Sequence, residues 1–212
     1  MKIIFFGTGA FGLPSLDALK SSGHPILSIV SSADKPQGRK LVLKASPVKE
    51  WALAHGAPFF ESIQELKHPA ADAFVVIDYG VILPQALLDV PRVAPLNVHA
   101  SLLPRHRGAS PIHTALLNGD AETGVTVIRM TARLDAGDIL VQKKTPILPA
   151  DDIFSLEKKL GLLGAGALLE TLDQLEKGAV RPKAQNELEG KKILPAEEFL
   201  RGFPLAPGAV FE

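Results

Sequence analysis

The chain has 212 residues, 46% apolar and 22% charged, which suffices for one well-buried domain and excludes a largely disordered segment. Its 23 basic and 23 acidic side chains balance to a formal net charge of zero, excluding nucleic-acid binding by bulk charge and leaving only a local basic patch. Cysteine is absent, so disulfides, thiolate nucleophiles and cysteine-ligated metals are excluded too.

The apolar run from Ile3 to Phe6 is too short for a secretory signal and reads as a first core strand that stops at Gly7. Leu16, Ala18 and Leu19 recur at helical spacing and predict a helix over 14–21, ended before Gly23. A second strand is expected over 26–30, followed by a long polar loop from Ser31 to Ser46. A helix over 47–55, a weak strand near Pro58, a clear strand over 73–77, a short helix over 85–88 and a strand over 95–99 continue the alternation. Proline in the first turn marks a helix over 111–118. Segments 125–130 and 139–144 read as an antiparallel pair around the turn LDAG. Asp152 or Ser155 caps a long helix with the stripe Leu156, Leu160, Leu163, Ala167 and Leu175, ended by Gly178. From Arg181 onward the chain turns polar and proline-rich and reads as a tail.

Strands alternating with helices predict an α/β fold, a mostly parallel central sheet with flanking helices and its ligands at the carboxyl ends of the strands. No run approaches the roughly 20 apolar residues of a membrane span, so a soluble, cytoplasmic protein without a membrane partner is expected. No internal repeat is present.

Three places carry chemistry. GTGAFG, with Gly7, Gly9 and Gly12, follows the first strand and opens a helix, the context of a dinucleotide fingerprint. Asp34 lies roughly where a ribose-binding acid belongs, although it falls past the end of the second strand. Alternatively the glycines only permit a tight strand-to-helix turn beside the cleft. The second place is NVHASLLPRHRGASPI, from Asn97 to Ile112. Residues i and i+2 of a strand share a face, so Asn97 and His99 converge at its end. An amide donor beside an imidazole suits an oxyanion forming on a carbonyl under attack, with His99 able to handle a proton; a satisfied end-of-strand polar pair is the plainer alternative. Asp135, in LDAG, reads by itself as a turn residue. The third place is the basic loop with Lys35, Arg39, Lys40, Lys44 and Lys49, which reads by itself as solvated. His99, His106 and His113 recur every seven residues, but Pro104 and Gly108 interrupt any helix that would gather them, and no metal site is expected.

Taken together, FFGTGAFGLPSL, DKPQGRKLVLKASPVK, VVIDYGVILP, NVHASLLPRHRGASPI, ETGVTVIRM, LDAGDIL and LLETLDQLEKG resemble the folate-dependent formyltransferases. Within them the chain is most similar to those acting on methionyl initiator tRNA, from residue 1 to about residue 186. The resemblance implies a Rossmann-like formyltransferase fold and formyl transfer from 10-formyltetrahydrofolate to the amino group of methionyl initiator tRNA, with no metal and no obligate protein partner. It further implies that Asn97, His99 and Asp135 are catalytic, the carboxylate favouring the imidazolium. By the same resemblance Ser101, Leu102, Leu103 and Pro104, with Tyr79, Gly80, Val81 and Ile82, would contact folate, and Arg39, Lys40 and Lys44 would meet tRNA. Asp78 departs from the family, which usually has a small residue before Tyr-Gly.

Residues 1–180 are expected to form the catalytic domain. Residues 181–212 would be a tail resembling a shortened interdomain linker, the β-barrel domain of the tRNA enzymes being absent. A smaller amine acceptor, such as a nucleotide-linked amino sugar, therefore stays open. Glycinamide ribonucleotide fits less well because its enzymes carry a different glycine loop, and a non-catalytic folate or nucleotide module is the alternative of another class.

Overall fold

A computed structural model describes residues 1–37, 42–66 and 70–185. Five strands lie parallel: β1 (Ile3–Gly7), β2 (Ile26–Val30), β5 (Phe59–Phe60), β6 (Ala73–Ile77) and β7 (Ala94–His99). Two antiparallel strands, β8 (Glu122–Arg129) and β9 (Ile139–Pro146), complete a seven-stranded sheet in the order β5-β2-β1-β6-β7-β8-β9. The central strands β1 and β6 are buried at every residue, as runs such as IIFF and AFVVI require when both faces are covered. The polar loop after β2 contains a small separate hairpin, β3 (Lys35–Gln37) and β4 (Val42–Lys44), pairing Lys35 with Lys44. Its three-residue strands are too short to show a period of two, so the sequence reads as loop. Leu43 is 66% exposed.

One face of the sheet packs against α1 (Leu13–Lys20), α2 (Pro47–Ala54) and the long α5 (Ile153–Glu176). Helix α5 starts at a reciprocal cap: the Ser155 N–H donates to Asp152 Oδ1, and the Asp152 N–H donates to Ser155 Oγ. Both residues therefore perform the capping that the sequence offers as alternatives, an arrangement worth about 1 kcal/mol. Leu156, Leu160, Ala167, Leu168 and Leu172 are fully buried on this face. Gly164 lets the helix press onto the sheet, since a Cβ there would stand 3.1 Å from Val98 Cγ1. The opposite face holds a second core of Ile4, Phe6, Phe74, Val76, Tyr79 and Leu83.

Strand β7 divides between these faces. Leu96 and Val98 belong to the core under α5, so the intervening Asn97 and His99 project from the other side. Two further helices, α3 (Gln85–Leu88) and α4 (Pro111–Leu117), flank the carboxyl ends of β6 and β7. No described helix is long and apolar enough to cross a membrane.

Candidate active site

A cavity of about 470 Å³ opens at the carboxyl edge of the sheet, where β6, β7 and the β8–β9 connection meet. Asn97, His99 and Asp135 all line it. Asp135 lies at its hub, 38 residues from Asn97 in sequence. The Asn97 amide donates to Asp135 Oδ1 at 3.1 Å, and the Gly108 N–H donates to Oδ2 at 2.9 Å. His99 Nδ1 stands 3.6 Å from Oδ2. His99 Nε2 lies 2.9 Å from the carbonyl oxygen of His106 and must donate to it, because a carbonyl only accepts. Nε2 is thus held by a hydrogen bond, whereas Nδ1 faces the carboxylate from beyond hydrogen-bond distance.

These groups are withdrawn from bulk water: the side chains of His99 and Asp135 are 7% and 4% exposed. Their mutual electrostatics are correspondingly stronger than at a surface. Asp135 adopts φ +48°, a left-handed conformation that Asp tolerates better than most residues. One Asn97 N–H is committed to Asp135, which orients the amide and leaves its second N–H for a ligand. Asn97 and the His99 ring edge therefore offer two donors at one point, with a carboxylate behind both.

Among the residues expected to contact folate, Tyr79, Gly80, Val81 and Ile82 line the cavity. Val81 and Ile82 are 49% and 83% exposed, presenting apolar surface at its mouth. Ser101, Leu102, Leu103 and Pro104 are not among the lining residues. Ser101 is fully buried and its hydroxyl donates to the Arg105 carbonyl; the Leu103 N–H donates to Thr126 Oγ1. Gln142 donates to both the Leu103 carbonyl and Thr126 Oγ1. The segment is thus stapled to β8 and β9 from behind, supporting the turn that follows His99. Thr126 and Gln142 escape the sequence reading because alternating polar residues in a β-pair ordinarily signify only a solvated face.

The histidines spaced by seven separate: His106 pairs with Asp120 at 2.6 Å, whereas His99 and His113 line the cavity. Asp34, the candidate ribose acid, is ion-paired with Lys49 at 2.6 Å. In the glycine turn, a Cβ on Gly7 would fall 2.6 Å from Phe5 Cε1 and 2.8 Å from the Ile77 carbonyl. A Cβ on Gly9 would fall 1.8 Å from Asp78 Oδ2. The turn is therefore glycine-rich for packing, and a pyrophosphate seated on it would meet a carboxyl group. Of the expected tRNA contacts, Lys44 is exposed on β4, and Arg39 and Lys40 lie outside the described residues.

Asp78 itself lines the cavity at φ +47° and is exposed to it. Its carboxyl group has no hydrogen-bond partner among the described residues, and burial pushes its pKa above the ordinary carboxylate value. A raised folded-state pKa means that wild-type stability falls as pH rises through the unfolded and then the folded value. Asp78→Asn removes that charge and keeps a residue suited to left-handed backbone. Because Asp78 is exposed and water screens its charge, the variant is expected to melt only slightly higher than wild type at neutral pH, with the difference vanishing below about pH 4. Thermal melts of both proteins across that range measure it.

The family model described as formyl transferase matches residues 1–172, and the chain belongs to this family. Its similar relatives include the methionyl-tRNA formyltransferase of Pelobacter propionicus, 45% identical over 88% of this chain and 61% of the relative. That of Legionella pneumophila is 43% identical over 88% of this chain and 62% of the relative. The chain thus spans less than two thirds of the length of these relatives. Solved structures share the fold. Glycinamide ribonucleotide transformylase 1 from Symbiobacterium toebii superposes with a TM-score of 0.68 at 20% identity, over 86% of this chain and 94% of that one. An N-formyltransferase from Helicobacter canadensis, solved with folinic acid and dTDP-3-aminofucose, gives 0.68 at 19% identity, over 89% and 68%.

Proposed function

We propose that the chain transfers the formyl group of 10-formyltetrahydrofolate to a primary amine, the acceptor being the amino group of methionyl initiator tRNA. The observation that carries this reading is the Asp135 carboxylate set between the Asn97 amide and the His99 ring at the wall of one cavity. The apolar surface of Val81, Ile82, Leu83, Ile128 and Met130 suits a flat pterin beside those donors. In this reading Ser101, Leu102, Leu103 and Pro104 act by holding the loop, and residues 1–180 form the catalytic unit.

The neutral amine forms a bond to the formyl carbon while the carbonyl electron pair moves to oxygen. The free Asn97 N–H and the His99 Nδ1–H, which at 3.6 Å from Asp135 Oδ2 is not hydrogen-bonded to it, receive that oxyanion, a contribution worth most because the donors are fixed before charge develops. Collapse re-forms the carbonyl and breaks the bond to N10 of the folate. The proton lost by the amine reaches N10 through Asp135 or a water it holds.

Likeness to the tRNA enzymes favours methionyl initiator tRNA, with Arg39, Lys40 and Lys44 drawing its phosphates in the cytoplasm. Arg39→Ala is expected to raise KM for tRNA several-fold and reduce the salt slope by about 1, without changing folate affinity. Transfer of labelled formyl from 10-formyltetrahydrofolate, with salt varied, is the test, and robust salt-sensitive labelling of methionyl initiator tRNA is expected. Labelling only of an amino-sugar nucleotide would overturn the acceptor. Labelling of neither would overturn formyl transfer itself.

A further inference from the structure

Residues 181–185 read from sequence as the start of a tail, but they lie along β9 at the active-site edge. Lys183 and Ile139 exchange two backbone hydrogen bonds of 2.8 Å, forming an antiparallel bridge. Two residues on, the Gln185 side chain reaches the LDAG turn. Its amide nitrogen donates to the Asp135 carbonyl at 2.9 Å and to the Gly137 carbonyl at 2.7 Å. Its amide oxygen accepts from Arg107 Nη2 at 2.7 Å and Nε at 3.2 Å. Both N–H donors and both lone pairs of this one amide are therefore used.

Those partners bracket the catalytic carboxylate. One pair of bonds holds the main chain of the turn, at the carbonyls of Asp135, in its left-handed conformation, and of Gly137. The other holds Arg107, whose neighbour Gly108 donates its N–H to Asp135 Oδ2. The turn is also wedged from below, since a Cβ on Gly137 would fall 1.7 Å from the Arg129 carbonyl oxygen. With the Arg129 carbonyl below the turn and Gln185 clasping it, its freedom is confined from two directions.

We infer that Gln185 is a positioning residue for formyl transfer, clasping the Asp135 turn to the Arg107–Gly108 loop and so setting the carboxylate against Asn97 and His99. The inference rests on the formyl-transfer reading for its effect on rate, but the clasp itself can be measured without activity. Gln185→Ala leaves two carbonyls and an arginine without their shared partner. Gln185→Glu keeps an acceptor for Arg107 but turns a carboxylate oxygen toward the two carbonyls, so it should not restore the turn.

Both variants are expected to lose about 10-fold or more in kcat, with KM for folate and acceptor within about 3-fold, because misplacement acts on the reacting geometry rather than on binding. Amide hydrogen exchange supplies the activity-independent readout. The Gly108 N–H should exchange at least about 10-fold faster in Gln185→Ala, while core amides of β6 keep their protection. Unchanged Gly108 protection would overturn the clasp, as would wild-type kcat in a folded variant or a loss confined to KM. If wild type transfers no formyl group, the functional reading fails, and the Gly108 exchange still decides whether Gln185 holds the turn.

Discussion

His99→Ala is expected to lower formyl transfer by about 10³-fold, within the range removed when a positioned acid or an oxyanion donor is lost. The ring is held from two sides, by the His106 carbonyl at 2.9 Å and by Asp135 at 3.6 Å. In the proposed mechanism, deleting it removes one of the two donors to the developing oxygen and leaves Asp135 without the ring that faces it. The fold should persist, because His99 contributes to neither apolar core. The vacated space would adjoin the cavity that His99 lines, from which water could satisfy the His106 carbonyl. Single-turnover transfer with labelled donor measures the rate, while circular dichroism and folate binding check that the protein is folded. A rate equal to wild type would remove His99 from the mechanism.

Asp135→Asn is the sharper substitution, since it conserves shape. Asn is at home in left-handed backbone, so φ +48° is not a barrier. The difficulty is chemical. Asp135 accepts at both oxygens, from Asn97 at 3.1 Å and from the Gly108 N–H at 2.9 Å. An amide has one acceptor, so either rotamer sets its NH₂ against another donor. The side chain is 4% exposed, so little water can reach the mismatch. A stability cost of about 1–3 kcal/mol follows from the unsatisfied donor. The variant also loses the negative charge facing His99 and the group that accepts the amine's proton. Together these predict a fall in kcat of about 10² to 10⁴, with little change in KM. Steady-state kinetics and a thermal melt test both parts. A variant with normal kcat but lowered stability would make Asp135 structural only.

These outcomes are separable from the Gln185 effect. Removing Gln185 loosens the turn carrying a chemically intact Asp135, so its expected loss is smaller and appears first in Gly108 exchange. Removing the carboxylate leaves the Gln185 bonds available, because they go to main-chain carbonyls.

Much of the scaffold is written locally in the sequence. Strands over 26–30 and 73–77 and the helix over 85–88 have the bounds read from periodicity. Asp152 and Ser155 announce the start of α5 because capping involves residues three apart, which are neighbours in any helix. Pairing of Asn97 with His99 was equally legible, since a strand repeats every two residues whatever surrounds it.

What lay beyond local pattern was every contact that spans the chain. Asp135 by itself reads as a turn residue, and only the resemblance marked it. It reaches Asn97 because β8 runs antiparallel beside β7 as far as Arg129, opposite Leu96, and the turn leading into β9 then folds back over β7. Thr126 and Gln142 look like ordinary solvent-facing residues until the loop after His99 folds onto them. Gln185 looks like part of a polar tail, and nothing near it in sequence signals the carbonyls it meets 48 and 50 residues away. The sequence by itself determined the α/β elements, the two faces of β7 and the donor pair at its end, because those depend on backbone periods and side-chain type. Only the tertiary structure decided which carboxylate serves that pair and what holds it, because hydrogen-bond partners across a sheet edge are chosen by strand order and loop return, which carry no periodic trace in the chain.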